Sequence, residues 1–307
     1  MDLRQIESFV RVAELGSFSR AASLMGVTQP LLSRQVRQLE VGLRQNLLLR
    51  NGRGVTLTDA GRVMLEHGRG ILHQVALAQE HVADSRHRLA GRVSIGLPPS
   101  LSRLITVALT KRFRQSLPEA QLTLTEGFSL LMMDSIRSGQ LDMAVLYNPA
   151  PAPDLEFSVL HRDALALISP RTSSAKATGR VSLSQLSKLP LILPSRPNTF
   201  RLLIEAEMSR LDLQPQIVLE IDGLNAILEL VREGFGHAVL PAYTLDQTRD
   251  AKDLTARVID KPRMVSTLML ARSAKRTSTP SHDAAQTLLR EVVQTAFDTP
   301  LVNPSLK

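Results

Sequence analysis

The feature that most constrains this chain is a pair of short helical patterns in residues 17–40 that meet at Gly26. The first pattern is small and apolar, and its Ala21-Ala22 pair lets a neighbouring helix approach closely. Thr28 is a favourable N-cap for the second helix, and Pro30 suits its first turn. A tight helix pair of this kind leaves few folds open to these residues.

The second helix of the pair has two different sides. Helical spacing predicts Leu31, Leu32, Val36 and Leu39 on the inward side, and Gln29, Ser33, Arg34, Arg37 and Gln38 on the outward side. A pair whose second helix has one polar and basic side is typical of a helix–turn–helix, whose second helix enters the major groove of DNA. For this segment alone, an ordinary helix with a solvated basic face remains the alternative.

The segment "LLLRNGRGVTLT" at residues 47–58 argues against that alternative. It predicts two strands joined by a hairpin turn at Asn51-Gly52. Arg50 and Arg53 flank the turn. A basic hairpin beside a recognition helix is typical of a wing that contacts the DNA backbone or the minor groove.

Charge and composition point to the same kind of partner. The net charge is +8, and residues 1–58 hold eight arginines and four acids, hence +4 of that total. A basic balance of this size suits a polyanion. The absence of cysteine excludes disulfides and thiolate metal sites, and it fits a reducing cytoplasm. Neither a signal-peptide pattern nor a run of ~18 apolar residues occurs, so we expect a cytoplasmic protein without a membrane segment.

Residues 3–66 resemble the DNA-binding domain of the LysR-type transcriptional regulators. The matching residues are Phe9, Ser17, Ala21-Ala22, Leu24, Thr28-Gln29-Pro30, Ser33, Leu39-Glu40, Arg50 and "VTLTDAG" at 55–61. Two positions depart from the family pattern: Arg44 stands where a helix-ending Gly is usual, and Leu48 where Phe is common. A positive φ at Arg44 would cost ~1 kcal/mol.

The resemblance and the polarity of the helix together predict the DNA-binding residues. They are Thr28, Gln29, Pro30, Ser33, Arg34, Arg37, Arg50 and Arg53. We expect Gln29, Ser33 and Arg34 to read bases or adjacent phosphates, and the two hairpin arginines to hold the DNA backbone. The resemblance also implies double-stranded promoter DNA as partner, a homodimer or homotetramer, and contact with RNA polymerase.

Residues 59–90 predict one long linker helix, ~50 Å at ~1.5 Å per residue. Its thin apolar stripe consists of Val63, Ile71, Val75, Ala78 and Val82. A thin stripe on a long helix favours pairing with a second copy, and in the LysR family the linker helix forms the dimer. Four histidines at 67, 73, 81 and 87 lack the i,i+4 spacing that would bring two of them together, so no metal site is expected.

From residue 91 onward, predicted strands alternate with helices, which indicates α/β architecture. The segments "SIRSGQLDMAVL" (135–146) and "LVREGFGHAVL" (230–240) are similar, which favours two related lobes, with chance similarity of βαβ units as the alternative. This part resembles the LysR effector domain, related in fold to periplasmic binding proteins. The predicted domains are a winged helix–turn–helix at 1–58, a linker helix at 59–90 and a bilobed effector domain at 91–307. Lobe I is expected at about 91–161 and 268–298, and lobe II at about 162–267.

Ligands of such folds bind where strands end. The residues predicted for an effector site are Ser100, Leu101, Phe128, Ser129, Asn148, Ser195, Asn198 and Asp222. Several of them begin helices, whose unpaired N–H groups favour an anion, so a small anionic metabolite is expected. Ser100 and Ser129 could instead be only N-caps, and Asp222 a cap or hinge residue. Arg196 and Arg201 are close enough in sequence to add charge.

Other classes of protein fit less well. The chain contains no G-x-S-x-G, HExxH or P-loop pattern, so we expect neither an enzyme nor a cofactor or metal. A solute-binding protein would not explain the N-terminal 90 residues, and an architectural DNA-binding protein would not explain the apolar remainder. "GLPPS" and "LYNP" are similar to the nitrogen assimilation control subgroup of the family, some members of which act without a coinducer. A LysR-type regulator without a coinducer is therefore the main alternative.

Overall fold

The computed structural model of the chain describes residues 1–51, 54–83, 89–171, 179–245 and 253–298. The chain forms two compact units. One comprises Met1–Arg88 with Ser135–Leu141, and the other comprises Leu89–Asp134 with Asp142–Lys307. Among the described residues, no helix is both long enough and apolar enough to span a membrane.

The N-terminal unit begins with three helices, a hairpin and a long helix. They are α1 (Leu3–Leu15), α2 (Phe18–Met25), α3 (Gln29–Leu43), β1 (Leu48–Asn51), β2 (Gly54–Leu57) and α4 (Asp59–Ala83). Gly16 and Gly26 end the first two helices in the left-handed conformation, at φ 61° and 65°. The turn that the sequence predicts between α2 and α3 therefore has its expected chemistry.

The core of this unit fixes the orientation of α3. Leu32, Val36 and Leu39 are fully buried with side chains of α1 and α2. The prediction that Leu31 also points inward is wrong, because 44% of it is exposed. Neighbouring residues of a helix lie ~100° apart, so burial of Leu32 turns Leu31 away from the core.

The start of α4 is held against the hairpin. The Thr58 hydroxyl donates to the Asn46 carbonyl oxygen at 2.7 Å and accepts from the Gly61 N–H at 2.9 Å. A Cβ at Gly61 would lie 2.0 Å from the Leu47 carbonyl oxygen, so only glycine permits this approach. The linker helix was predicted to extend to residue 90. It is described to Ala83, and Ala90 is already in a strand, while residues 84–88 lie outside the described part.

The second unit is an α/β structure with long connections. Its first part contains β3 (Ala90–Leu97), α5 (Pro99–Ser116), β4 (Glu119–Glu126), α6 (Ser129–Ser138), β5 (Met143–Tyr147) and β6 (Leu155–Pro170). Its second part contains β7 (Arg180–Val181), α7 (Leu183–Leu186), β8 (Pro190–Leu193), α8 (Thr199–Ser209), β9 (Gln216–Glu220), α9 (Leu224–Arg232), β10 (His237–Pro241) and the 3₁₀ turn Ala242–Thr244. The last elements are β11 (Leu254–Ile259), β12 (Val265–Ser273) and α10 (Pro280–Asp298).

Strand β6 connects two lobes. On one side the order is β4-β3-β5-β12-β6, and on the other it is β6-β10-β8-β9, with β11 also on β6 and β7 on β11. The β6 partner changes from β12 at Ala164 to β10 at Leu165. This change of partner lies three residues beyond the predicted boundary between lobe I and lobe II at 161/162. The chain was predicted to return to lobe I at residue 268, and β12 begins three residues earlier, at Val265.

The sequence predicts two strands near 156–161 and 164–168, but Leu155–Pro170 is one continuous strand, so that prediction is wrong. The Asp163 carboxylate accepts the N–H groups of Ala164 at 2.9 Å and Tyr243 at 3.2 Å, so a half-buried acid is accommodated within the strand. Asp163 therefore lies where the chain passes between the lobes.

Candidate DNA-binding face and effector pocket

The outward face of α3 carries the predicted DNA-binding side chains. Thr28, Gln29, Pro30, Arg34 and Arg37 are exposed, and Ser33 is half-buried. Thr28 occupies the N-cap position, but its side chain makes no capping hydrogen bond. Within the described part of the chain, the guanidinium groups of Arg34 and Arg37 lie against no carboxylate, so their five N–H donors can face a nucleic acid.

A single carboxylate joins the recognition helix to the wing. Oε1 of Glu40, on α3, accepts the backbone N–H groups of Leu47 at 2.8 Å and Leu48 at 3.1 Å. Those residues lead into β1, so Glu40 fixes where the hairpin begins relative to the DNA-facing side of α3. Sequence reasoning noticed Glu40 only as part of a family pattern and did not find this role.

Of the two predicted hairpin arginines, Arg50 and Arg53, only Arg50 lies among the described residues. Arg50 lies in β1, where its backbone pairs with Val55, and its side chain is not described. Arg53 lies outside the described residues. Arg44 ends α3 at φ 53°, so the expected departure from a helix-ending glycine does place a non-glycine residue in the left-handed region.

A narrow pocket lies between the two lobes of the second unit. The volume open to the centre of a water molecule is about 50 Å³. The lining residues are Pro98, Pro99, Ser100, Gly127, Phe128, Ser129, Tyr147, Pro194, Asn198, Thr199, Phe200, Asp222, Leu224, Ile227 and Leu240. Most of this lining is apolar, with a few polar groups, which is the usual composition of a small-molecule site.

Five of the predicted effector residues meet at this pocket: Ser100, Phe128, Ser129, Asn198 and Asp222. Four helices begin there, namely α5, α6, α8 and α9. The Ser129 oxygen accepts the Tyr147 N–H at 3.0 Å, and its own hydrogen can still be donated to a ligand. The Asn198 side chain caps α8 by accepting from the N–H of Phe200 at 2.9 Å.

Three predicted effector residues do not line the pocket. Leu101 is fully buried in the hydrophobic core. The Asn148 side-chain oxygen accepts the Thr267 N–H at 2.7 Å, so this residue joins β5 to β12. The Ser195 hydroxyl donates to the Asp222 carboxylate at 2.6 Å, and the Ser195 N–H donates to it at 2.8 Å. Both polar side chains are thus used to hold loops in place.

The two arginines considered as charge donors lie elsewhere. Arg196 pairs with Glu205 at 3.0 Å. Arg201 is only 6% exposed, and it donates to Glu205 at 2.7 Å, to the Pro194 carbonyl oxygen at 3.0 Å and to Glu220 at 3.0 Å. Because its donors point at protein acceptors, Arg201 supports the loop that forms one wall of the pocket.

Sequence reasoning missed two residues at the floor of the pocket. Tyr147 and Tyr243 are the only tyrosines of the chain, and both are buried. Their hydroxyl groups are hydrogen-bonded to each other and to the Ser100 hydroxyl. Burial raises the pKa of both phenols above the ordinary value, so both remain neutral. The sequence signal that could have found them is that tyrosine occurs only twice, once at the end of β5 and once just after β10.

A half-buried carboxyl group near this floor belongs to Asp163. Burial raises the pKa of its carboxyl group, while the N–H groups of Tyr243, Ala164 and Ala242 act in the opposite direction. Within the described ranges, no set of three or more His, Asp or Glu side chains is placed to bind a metal ion.

These features define a class of protein: a winged helix–turn–helix with a basic recognition face, joined to a bilobed α/β domain with a small-molecule pocket. Residues 3–62 match the family described as bacterial regulatory helix-turn-helix protein, lysR family, and residues 86–295 match the LysR substrate binding domain. The chain belongs to the LysR family. It is a transcriptional regulator with a DNA-binding domain and an effector-binding domain.

Relatives agree over nearly the whole chain. The nitrogen assimilation regulatory protein nac of Klebsiella aerogenes is 32% identical over 95% of each chain. The probable cat1 operon transcriptional activator of Acinetobacter lwoffii is 33% identical over 91% of this chain and 92% of its own. The relatives are named as transcriptional regulators.

Solved structures share the fold. CbnR, a LysR family transcriptional regulator, aligns over 95% of this chain and 99% of its own, with a TM-score of 0.70 at 22% identity. Full-length CbnR complexed with its target DNA aligns with a TM-score of 0.69 at 23% identity. These likenesses concern the α/β fold that the sequence predicted.

Proposed function

We propose that this regulator binds promoter DNA by inserting α3 into the major groove, with Gln29, Ser33 and Arg34 reading bases or adjacent phosphates. The observation that carries this proposal is the exposed basic face of α3, held outward by the burial of Leu32 and Val36. Thr28, Pro30 and Arg37 complete the contact surface, and Arg50 and Arg53 of the hairpin hold the DNA backbone. CbnR, which shares the fold, was solved in complex with its target DNA, which supports DNA binding by a chain of this fold.

The test begins with selection of a preferred DNA site by the full chain from a random duplex library. Arg34→Ala should weaken binding to that site by ~1–3 kcal/mol and relax preference at one base pair. Arg11→Ala, on α1 and paired with Glu14, removes the same charge and is the control. Arg53→Ala should weaken all sequences alike and reduce the salt slope by about one unit. An Arg34→Ala variant with the affinity and preference of the Arg11→Ala control would refute the α3 assignment.

The proposed active form is a homodimer or homotetramer that pairs through α4. Support comes from the length of this helix and from Val63, which is 58% exposed. An apolar side chain exposed on a long helix is typical of a helix that packs against a second copy. Sedimentation should show a dimer or tetramer for the full chain, and Val63→Asp should increase the monomer fraction. A monomeric parent chain would contradict the proposal.

The proposed effector is a small anion in the pocket between the lobes. The start of four helices at the pocket supports it, because the positive ends of their helix dipoles favour negative charge. Ser100→Ala combined with Ser129→Ala should weaken effector binding roughly tenfold or more, since each neutral hydrogen bond contributes ~0.5–1.5 kcal/mol. Ser102→Ala is the control, because its hydroxyl bonds to Glu126 and not to the pocket.

A thermal-shift screen of the full chain with small metabolite anions identifies the effector, because a ligand raises stability by RT ln(1 + [L]/Kd). A second candidate, regulation without a coinducer, is favoured by the small open volume of the pocket. It predicts that no anion shifts the melting temperature while DNA binding is normal. In both cases we propose that the protein acts in the cytoplasm, together with RNA polymerase, and without catalytic activity.

A further inference from the structure

A ring of three hydroxyl groups joins the lobes at the floor of the pocket. Ser100 lies on α5 and Tyr147 at the end of β5, both in lobe I, while Tyr243 lies after β10 in lobe II. The Ser100 and Tyr147 oxygens are 2.7 Å apart, Tyr243 donates to Ser100 at 3.1 Å, and the two phenol groups are hydrogen-bonded to each other. Two of these three bonds cross from one lobe to the other.

The three hydroxyl groups can pair all of their hydrogen-bond donors with one another. Each hydroxyl group has one hydrogen to donate and can also accept, so three bonds in a closed ring use all three hydrogens. All three residues are at least 92% buried, and an opened ring would leave polar groups without water. Because burial raises the pKa of both phenols, the tyrosines keep their hydrogens.

Further contacts tie both tyrosines to the strand that connects the lobes and to aromatic side chains nearby. The Tyr243 N–H donates to Asp163, which lies on the strand that passes between the lobes. The Tyr147 ring packs on Phe200 of lobe II at a centroid distance of 4.6 Å, and Phe297 meets the Tyr243 ring edge-on at 5.0 Å. A change in the angle between the lobes would therefore separate the three hydroxyl groups.

We propose that the hydroxyl groups of Ser100, Tyr147 and Tyr243 form a latch that holds the two lobes of the effector domain closed. The latch rests on the proposed function in one respect: Ser100 also faces the ligand pocket. A ligand that accepts the Ser100 hydrogen takes it from the ring, so occupation of the pocket and release of the latch are coupled. The pocket thereby acts on the lobe angle through one side chain.

The composition of the chain makes the latch directly observable. The chain contains no tryptophan and no cysteine, so its emission in the near ultraviolet comes from these two tyrosines, and spin labels can be placed without background. Lys111→Cys on α5 and Ser209→Cys on α8 place one exposed label on each lobe. The full-length labelled protein is diluted with unlabelled protein, which leaves only distances within one chain.

Ser100→Ala and Tyr243→Phe each remove one hydroxyl group and keep the fold of the surrounding residues. Ser102→Ala is the matched control, because Ser102 is equally buried on the same helix but bonds to Glu126 and Thr106 within lobe I. Ser100→Ala removes one of the two inter-lobe bonds and should shift the lobes toward the open state by roughly 2- to 10-fold, the value of one neutral hydrogen bond. Tyr243→Phe removes both inter-lobe bonds, so its shift should be at least as large. The label distances should gain a longer population, and acrylamide should quench the tyrosine emission more strongly.

The latch would be overturned if the label distances in both variants equal those in the parent and in Ser102→Ala, even if acrylamide quenching increased. The three hydroxyl groups would then contribute to packing at the base of the pocket but would not hold the lobes together. Loss of the fold in both latch variants would also overturn it, since the hydroxyl groups would then be required for folding. All measurements are made without effector. Failure of the latch therefore leaves the proposed DNA binding untouched, and failure of the effector screen leaves the latch result intact.

Discussion

Glu40 offers a test of whether the position of the wing, and not only its charge, determines DNA recognition. Its carboxylate accepts the N–H groups of Leu47 and Leu48, and it contributes one of the four acids of residues 1–58. Glu40→Ala removes both the charge and the acceptor. Glu40→Gln removes the charge and keeps an amide oxygen at nearly the same place.

The two variants should differ in stability by an amount set by the two N–H groups. Hydrogen bonds to a charged acceptor contribute ~1.5–3 kcal/mol each, and neutral ones ~0.5–1.5 kcal/mol. Partial exposure of this site lets water replace part of what is lost, so we expect a total loss of ~2–3 kcal/mol for Glu40→Ala. For Glu40→Gln, which keeps a neutral acceptor, we expect ~1 kcal/mol.

DNA binding by the full chain should separate the two effects. Both variants lose one negative charge near the DNA, so affinity for random duplex should rise equally in both. Only Glu40→Ala frees the start of the hairpin, so only it should lose preference for the selected site over random duplex. Fluorescence anisotropy at several salt concentrations measures both affinities. If the two variants keep the same preference, Glu40 acts only through its charge and the argument about the wing position is wrong.

Three further predictions concern stability and are measured by denaturation of the full chain. Gly61→Ala should destabilise the N-terminal unit by ~2 kcal/mol or more, because its Cβ meets the Leu47 backbone. Gly42→Ala, whose Cβ would make only an ordinary contact of 4.0 Å with the Met1 nitrogen, should gain up to ~1 kcal/mol; equal effects would contradict this. Arg44→Gly should stabilise by about 0.5–1 kcal/mol, because φ is 53°, and a loss would refute the strain. Tyr147 and Tyr243 have an ordinary pKa of 10.0 in the unfolded chain and a raised pKa in the folded chain, so their contribution to stability should be complete below pH 10.0 and be lost as the pH rises through the folded-state pKa. Tyrosinate absorbance that appears near pH 10.0 in the folded chain would contradict this prediction.

The N-terminal unit could be predicted well because its signals are local. Gly26, Thr28 and Pro30 define a turn and a helix start within a few residues, and the burial of Leu32, Val36 and Leu39 follows the helical period. Leu31 was assigned wrongly because apolar residues at the edge of a stripe face either way. The role of Glu40 depends on residues seven and eight positions away and has no sequence signature.

Five of the residues that the sequence places at strand ends line one pocket, and three do not. Their role in binding an effector stays a prediction. Asn148 and Ser195 were expected to face a ligand. Instead the Asn148 oxygen accepts the Thr267 N–H, and the Ser195 hydroxyl donates to the Asp222 carboxylate. The bond between Tyr147 and Tyr243 joins residues 96 positions apart, and no periodic pattern reports a contact of that kind.

The charges at the pocket indicate which anions it can accept. Each helix start is equivalent to about half a positive charge, so the four helices together supply at most about +2. Among the lining residues, Asp222 contributes one negative charge, and its carboxylate accepts hydrogen bonds from the Ser195 N–H and hydroxyl groups. The guanidinium groups of Arg196 and Arg201 together balance the charges of Glu205 and Glu220. The pocket therefore keeps a net charge of about +1, which balances a monoanion. A dianion would bring a second negative charge that leaves water and finds no positive partner in the pocket.

The pocket volume of about 50 Å³ further restricts the ligand to a few heavy atoms unless the lobes separate. If the latch opens on binding, a larger monoanion can enter, and the lobe angle then reports that the pocket is occupied.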